Sequence, residues 1–238
     1  MSSGLLDQTV LIIGGAKPLG LAVARAAAAE GAKVVIGARD DALAAAEPAE
    51  LPRARAMHID LTDESSIAFA AAEIGHVDHV VITVSAHHNV PVVQIERNKA
   101  AAAFETKIIG PLLVAKHFAP LMPPDRLTRP VLGCGSVESL GGSNDHGRHQ
   151  RRRLVPRPHL AVELAPLRVN AISPGIIDSG TWDALPETAR DALFRTGVEG
   201  SLAGRAGTRD DIADAVIWML CSTYLSGETI HLEGGARH

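Results

Sequence analysis

The chain has 238 residues, 46% of them hydrophobic and 21% charged, which supplies a large packed core and excludes a disordered or fibrous class. A formal net charge of -4 leaves no global positive field for nucleic acid or an anionic membrane. Cys134 and Cys221 make neither a disulfide framework nor a zinc-like spacing, Met1 to Gln8 shows no signal-peptide pattern, and no apolar run approaches about 18 residues. The expectation is one cytoplasmic domain, 1-238, with no metal site and with neither nucleic acid nor membrane as partner.

The elements alternate from the start. Val10 to Ile13 is a short β-rich run closed by Gly14-Gly15, and Leu21 to Glu30 reads as an Ala-rich helix ended by Gly31. Val34 to Ile36 predicts a second strand, Asp41 to Ala46 a short helix and Ala54 to Ile59 a third strand. Thr62 is expected to cap a helix from Asp63 to Glu73. Val77 to Val84 is nearly all apolar, as befits a strand covered on both faces. A long helix follows over Lys99 to Leu121, then strands at Val131 to Cys134 and Arg168 to Ile172, a helix from Arg209 to Met219 with Trp218 at core spacing, and a last strand at Thr229 to Leu232. This alternation predicts an α/β fold, a doubly wound parallel sheet of about seven strands with helices on both faces. Ligands of such sheets bind beyond the carboxyl ends of the strands, where the order reverses.

Gly14-Gly15-Ala16-Lys17-Pro18-Leu19-Gly20 lies between a strand and a helix, so its amides and the positive helix end face one point, suited to a diphosphate. At the end of the second strand an acid would bond a ribose 2′-hydroxyl. Here Arg39 offers a fork for a 2′-phosphate, with Lys17 able to approach from the turn, so NADP(H) is favoured over NAD. The alternative leaves Arg39 as a solvated charge beside Asp40.

These segments together resemble the short-chain dehydrogenase/reductases, in order from Val10 to Gly235. Gly14 to Gly20 is similar to the family's T-G-x-x-x-G-x-G turn, with Ile13 in the Thr position and Pro18 in place of the middle glycine. Asp60-Leu61 resembles the pair that contacts adenine, and Thr83-Val84-Ser85 stands where the family has N-N-A-G. Lys107-Ile-Ile-Gly110 occupies the N-x-x-G position, so Lys107 replaces an Asn that helps hold a proton-relay water. Leu160 to Ser179 resembles L-A-x-E-L-A-P-x-R-V-N-x-x-x-P-G-x-x-x-T, which implies that Pro174, Gly175, Ile177 and Ser179 lie beside a nicotinamide. Gly204-Arg205 and Ser226 to Gly235 are similar to the closing segments. The resemblance implies a Rossmann-type fold, a substrate lid over residues 180-206 and a homo-oligomer.

The catalytic segment departs from that pattern. The family couples hydride transfer to a Tyr that moves the proton, a Lys four residues on, and a Ser that steadies the substrate oxygen. Ser136 fits the Ser position, but Tyr224 is the chain's single tyrosine, and Lys17, Lys33, Lys99, Lys107 and Lys116 are its only lysines. Family spacing counted forward from Ser136 reaches His149 and Arg153; counted back from Glu163 it reaches His146 and Gln150. His146 or His149 is therefore a candidate substitute acid. The stretch His146 to His159 is rich in Arg, His and Pro, and Pro156 and Pro158 argue against a helix there. It is either a genuine basic loop or a stretch read out of frame, because back-translation shifted by one nucleotide yields an Ala-rich helical sequence.

Arg151-Arg152-Arg153 lacks an aromatic platform and reads as solvated. His87-His88 lacks further ligands at metal spacing and reads as loop. The expected activity is an NADP(H)-dependent interconversion of a small carbonyl and alcohol; the alternative is a catalytically silent NADP(H)-binding sensor or partner subunit.

Overall fold

The computed structural model describes residues 4–40, 51–84, 86, 88, 90–122, 131–134, 157–180, 182–183 and 185–236. Its strands are β1 (Thr9–Ile13), β2 (Lys33–Ala38), β3 (Ala54–His58), β4 (His79–Ile82), β5 (Val131–Cys134), β6 (Arg168–Pro174) and β7 (Thr229–Leu232). All pair in parallel in one sheet of order β3-β2-β1-β4-β5-β6-β7. The order reverses between β1 and β4, where Ile13 lies opposite both Gly37 and Ile82. A crevice therefore opens beyond the carboxyl ends of these two strands.

Both faces of the sheet are covered, which explains the unbroken apolar runs. In β1, Leu11 and Ile13 point into a core with Val80, Ile82, Val114 and Phe118, whereas Val10 and Ile12 point into a second core with Val23, Ala27, Val216 and Met219. The first core is roofed by α2 (Glu64–Ile74), α4 (Gly110–Phe118) and α5 (Arg157–Glu163). The second is roofed by α1 (Pro18–Ala29) and α7 (Arg209–Cys221), which pack on each other. Each fully buried aliphatic side chain in these layers contributes about 1.5–3 kcal/mol.

Four sequence expectations are corrected. The cap of α2 is Asp63, whose carboxylate accepts from the Ser65 amide at 2.9 Å; Thr62 is drawn away because both its amide and its hydroxyl donate to Asp60. Trp218 is 54% exposed, since the buried stripe of α7 runs through Ile212, Val216, Met219 and Leu220 and leaves it outside. The long helix expected over Lys99 to Leu121 is broken: α3 (Arg97–Phe104) passes through a π turn, Glu105–Ile109, into α4. Pro158 lies within α5, in the stretch where the prolines argued against a helix. A further helix, α6 (Glu187–Glu199), lies within the segment read as a lid and buries no residue. The short helix expected at 41–46 lies outside the described residues, as do Arg151-Arg152-Arg153 and His87.

Candidate functional site

The glycine turn is built by close backbone approach. Gly14 has φ of 90°, and a Cβ there would stand 2.7 Å from Thr83 Oγ1 and 3.2 Å from the Val84 nitrogen. A Cβ on Gly20 would meet the carbonyl of Gly14, so the helix start is pressed onto the turn without side-chain bulk between them. The amides of Gly14, Gly15 and Lys17 donate to Gly37, Ile12 and Gly14 carbonyls at 2.7, 3.2 and 3.0 Å. Pro18, the first residue of α1, has no N–H. Donors at the mouth of α1 are therefore the Ala16, Leu19 and Gly20 amides, a group of N–H donors suited to an anion.

The remaining sequence-selected positions fall along the same carboxyl edge. Arg39 follows β2 and Lys17 stands on the turn; both are exposed, and neither makes an ion pair with a described residue. Asp60 and Leu61 follow β3. The Asp60 carboxylate accepts the Thr62 amide and hydroxyl at 2.9 and 2.8 Å, and Leu61 is buried beneath Gly110. Thr83 and Val84 follow β4 and form the wall against Gly14. Lys107 sits at the centre of the π turn. Pro174 ends β6; the Gly175 amide donates to Leu232 at 3.0 Å, and Ile177 is buried and bridged to Gly207. The Ser179 amide donates to Ile177 at 2.8 Å, and the Trp182 indole donates to the same carbonyl at 3.0 Å. Ser85, Ser136, His146 and His149 lie outside the described residues.

Two features escaped the sequence reading. The segment after β6 leans onto the glycine turn: a Cβ on Gly180 would stand 2.8 Å from Pro18 Cγ. An open groove of about 670 Å³ continues from this contact between α1 and α7, past Arg25, Asp178, Arg209 and Asp214. The π turn also had a visible signal. Pro111 offers no N–H to the carbonyl four residues back, that of Lys107.

Electrostatics away from the crevice serve the frame. His79 is buried in β4, its Nε2 donating to Gln8 Oε1 at 2.7 Å; burial, with the nearby Arg168 charge, pushes its pKa down to about 4. Asp211 closes a capping box with Thr208 and takes both terminal nitrogens of Arg205 at 2.6 and 2.7 Å. That guanidinium holds its carboxyl well below the usual range. His88 is buried and its Nε2 accepts from the Glu96 amide at 3.0 Å, which makes it a strut of its loop. Among the described residues no group of three or more His, Cys, Asp or Glu could hold a metal, and no helix is long and apolar enough to cross a membrane.

A parallel sheet wound both ways, with a glycine turn and a helix start at its point of reversal, defines the dinucleotide-binding class of α/β proteins. A family model described as enoyl-(acyl carrier protein) reductase matches residues 14–237. A short-chain dehydrogenase/reductase named ucsE from an Acremonium species is 27% identical, over 98% of this chain and 96% of its own length. Galactitol 2-dehydrogenase of Agrobacterium fabrum is 26% identical over 97% of this chain and 98% of its own. A small-chain dehydrogenase solved in complex with NADPH superposes with a TM-score of 0.77 at 25% identity, covering 97% of this chain and 98% of that one. The chain belongs to the short-chain dehydrogenase/reductase family, a family of oxidoreductases.

Proposed function

We propose that this protein is an NADP(H)-dependent oxidoreductase acting on a small carbonyl/alcohol pair. The observation that carries the reading is the pair of exposed cations at the end of β2 and on the glycine turn, Arg39 and Lys17, neither of them paired with a described carboxylate. A 2′-phosphate placed there would meet a planar fork and a point charge, which favours NADP(H) over NAD. The solved relative with NADPH bound supports the same choice.

The turn suits the cofactor, since Gly14 and Gly20 let backbone approach backbone where a Cβ would collide with Thr83 or with the Gly14 carbonyl, which sets the start of α1 against the glycine turn. When bound, the reduced nicotinamide supplies the hydride. The Ala16, Leu19 and Gly20 amides would hold the diphosphate, Asp60 and Leu61 would border the adenine, and Val84 and Ser85 would contribute to cofactor binding. Pro174, Gly175, Ile177 and Ser179 would flank the nicotinamide, and Ser136 would orient the substrate oxygen. Residues 180-206 would serve as a lid, a role that suits α6, a helix with no buried face.

A second reading, a silent NADP(H)-binding protein, rests on Tyr224, which is 98% exposed between α7 and β7, at the amino-terminal edge of the sheet and away from the crevice. Fluorescence titration with NADPH and NADH, followed by NADPH oxidation over a panel of aldehydes, ketones and quinones, tests both readings. Tenfold tighter NADPH binding, about 1.4 kcal/mol, is expected. Equal affinity for the two overturns the Arg39 assignment.

A further inference from the structure

Resting on the reading of residues 180-206 as a lid, we propose that the lid is held at its distal end by the C-terminal turn and closes by docking Gly197 of α6 against Ile176. The distal seat is a set of short contacts. The Ser201 hydroxyl and the Ala203 amide both donate to the Gly234 carbonyl, at 3.2 and 3.0 Å. Leu202 lies over Gly235, where a Cβ would stand 3.0 Å from Leu202 Cβ and Cδ1. The turn that offers these groups continues β7 and is fixed to the frame. The Gly175 amide donates to the Leu232 carbonyl at 3.0 Å, and a Cβ on Gly175 would lie 2.9 Å from Glu233 Cα.

The helix α6 meets the frame differently. Among the described residues, the hydrogen bonds and the ion pair of residues 183–200 return to the segment itself, as from the Asp183 amide to Gly180, from Arg190 to Pro186 and Asp183, and from the Gly200 amide to Thr196. One face of the helix touches the frame: Arg190, Leu193, Phe194 and Gly197 are its half-buried positions, and their spacing puts them on one side of a helix. At Gly197 a Cβ would stand 3.0, 3.1 and 3.2 Å from Ile176 Cβ, Cγ2 and Cδ1. Glycine is a poor helix former, and in the last turn of α6 it lets the helix backbone rest directly on the Ile176 side chain.

The surface it rests on is held in place. The Ile176 carbonyl accepts the Gly207 amide at 3.0 Å, and its neighbours are Gly175, packed on Glu233, and the buried Ile177. Ile177 is one of the residues proposed to flank the nicotinamide, so the docking contact lies one residue from it. A 13-residue helix with no fully buried residue has little stability of its own. Undocking therefore loosens the helix, while Ser201 to Ala203 stay on Gly234 and set where it returns.

Amide hydrogen exchange on the full chain, read by peptide mass spectrometry without cofactor, tests the docking. Gly197→Leu supplies a better helix former, so a helix that does not dock would exchange no faster than in the wild type. Docking predicts the opposite: exchange over residues 187–196 about fivefold faster or more, with the Ala203 and Gly204 amides within about twofold of wild type. Ile176→Ala makes room for the new side chain, and the double variant should return to within about twofold of wild type. With NADPH and the best member of the carbonyl panel, Gly197→Leu should raise KM by about fivefold or more and leave the NADPH Kd within about twofold, and Ile176→Ala should bring KM back. Exchange over 187–196 that is unchanged or slower, or that Ile176→Ala does not restore, overturns the docking. Faster exchange that spreads to Ala203 and Gly204 overturns the fixed seat. A wild-type KM in a Gly197→Leu chain whose α6 exchanges faster overturns the role at the substrate. A wild-type chain that binds no NADPH overturns the cofactor reading, while the exchange result, which needs no cofactor, still decides the docking.

Discussion

The two sides of the crevice are built in opposite ways. On one side β1, the glycine turn and α1 are held by backbone-to-backbone approach, with Gly20 against the Gly14 carbonyl and Val23, Ala24 and Ala27 fully buried. On the other side the segment after β6 is anchored in the core by Ile177, its one buried apolar residue among those described, and otherwise rests on polar links: the Asp178 amide to Gly207 at 3.0 Å, the Trp182 indole to Ile177, and the Arg209 Nε to the Asp178 carbonyl at 3.0 Å. Its helix α6 buries nothing, and Val198 and Leu202 stay exposed. In the proposed function the glycine turn is a phosphate cradle, which has to be rigid before its ligand arrives, and residues 180-206 are a cover, which has to part from the frame at low cost.

The largest effect expected from this contrast is at the turn. Gly20→Val forces side-chain atoms into the Gly14 carbonyl and should cost about 3 kcal/mol or more, with NADPH binding lost; urea denaturation and the fluorescence titration measure both. Loss of binding with full stability would mean that the turn is not held by this contact. Acid probes the same frame through His79. Its pKa is near 4 in the folded chain and about 6.5 when unfolded, so the unfolded state binds the extra proton. Stability should therefore fall as pH drops from about 6.5 to about 4, by about 3 kcal/mol in all, and His79→Gln should flatten that part of the profile.

Arg39→Ala should weaken NADPH binding by about 10- to 100-fold, or 1.4–2.8 kcal/mol, and leave NADH affinity unchanged; a loss shared by both cofactors would assign Arg39 to the frame instead. Thr208→Ala removes one arm of the α7 capping box and should cost about 1 kcal/mol in thermal unfolding. Val198→Ser in α6 should shift stability by less than about 0.5 kcal/mol. A larger shift would show that the cover is packed in solution, and the two sides would then differ less than their buried surfaces indicate.

Much of the frame was legible from residue patterns. Strands β5 and β7 fall on the apolar runs that predict them, and α1 ends where Gly31, at φ of 86°, takes the left-handed position. The expected run from Val77 to Val84 is regular strand only over His79–Ile82, although the Asp78 and Thr83 amides still donate to the Thr9 and Ile13 carbonyls at 3.0 and 2.9 Å, and the Asp78 carboxylate also accepts the Thr9 amide at 2.7 Å. That bond is between residues far apart in sequence, and periodicity cannot foresee it. The choice of Asp63 over Thr62 as cap was equally invisible, since two adjacent oxygen-bearing side chains compete and Asp60 decides between them.

The order of residues along the chain, by itself, determined the alternation of strand and helix, the glycine turn, the cationic end of β2 and the membership of an oxidoreductase family, because each depends on side-chain period or on a short local motif. Tertiary structure alone decided which groups meet. It put Pro18 beneath Gly180, set Tyr224 between α7 and β7 at the amino-terminal edge of the sheet, and widened the helix around Lys107 into a π turn ahead of Pro111. Those placements follow from how strands are ordered in the sheet and where helices cross its edge, and they are set by packing between residues distant in sequence.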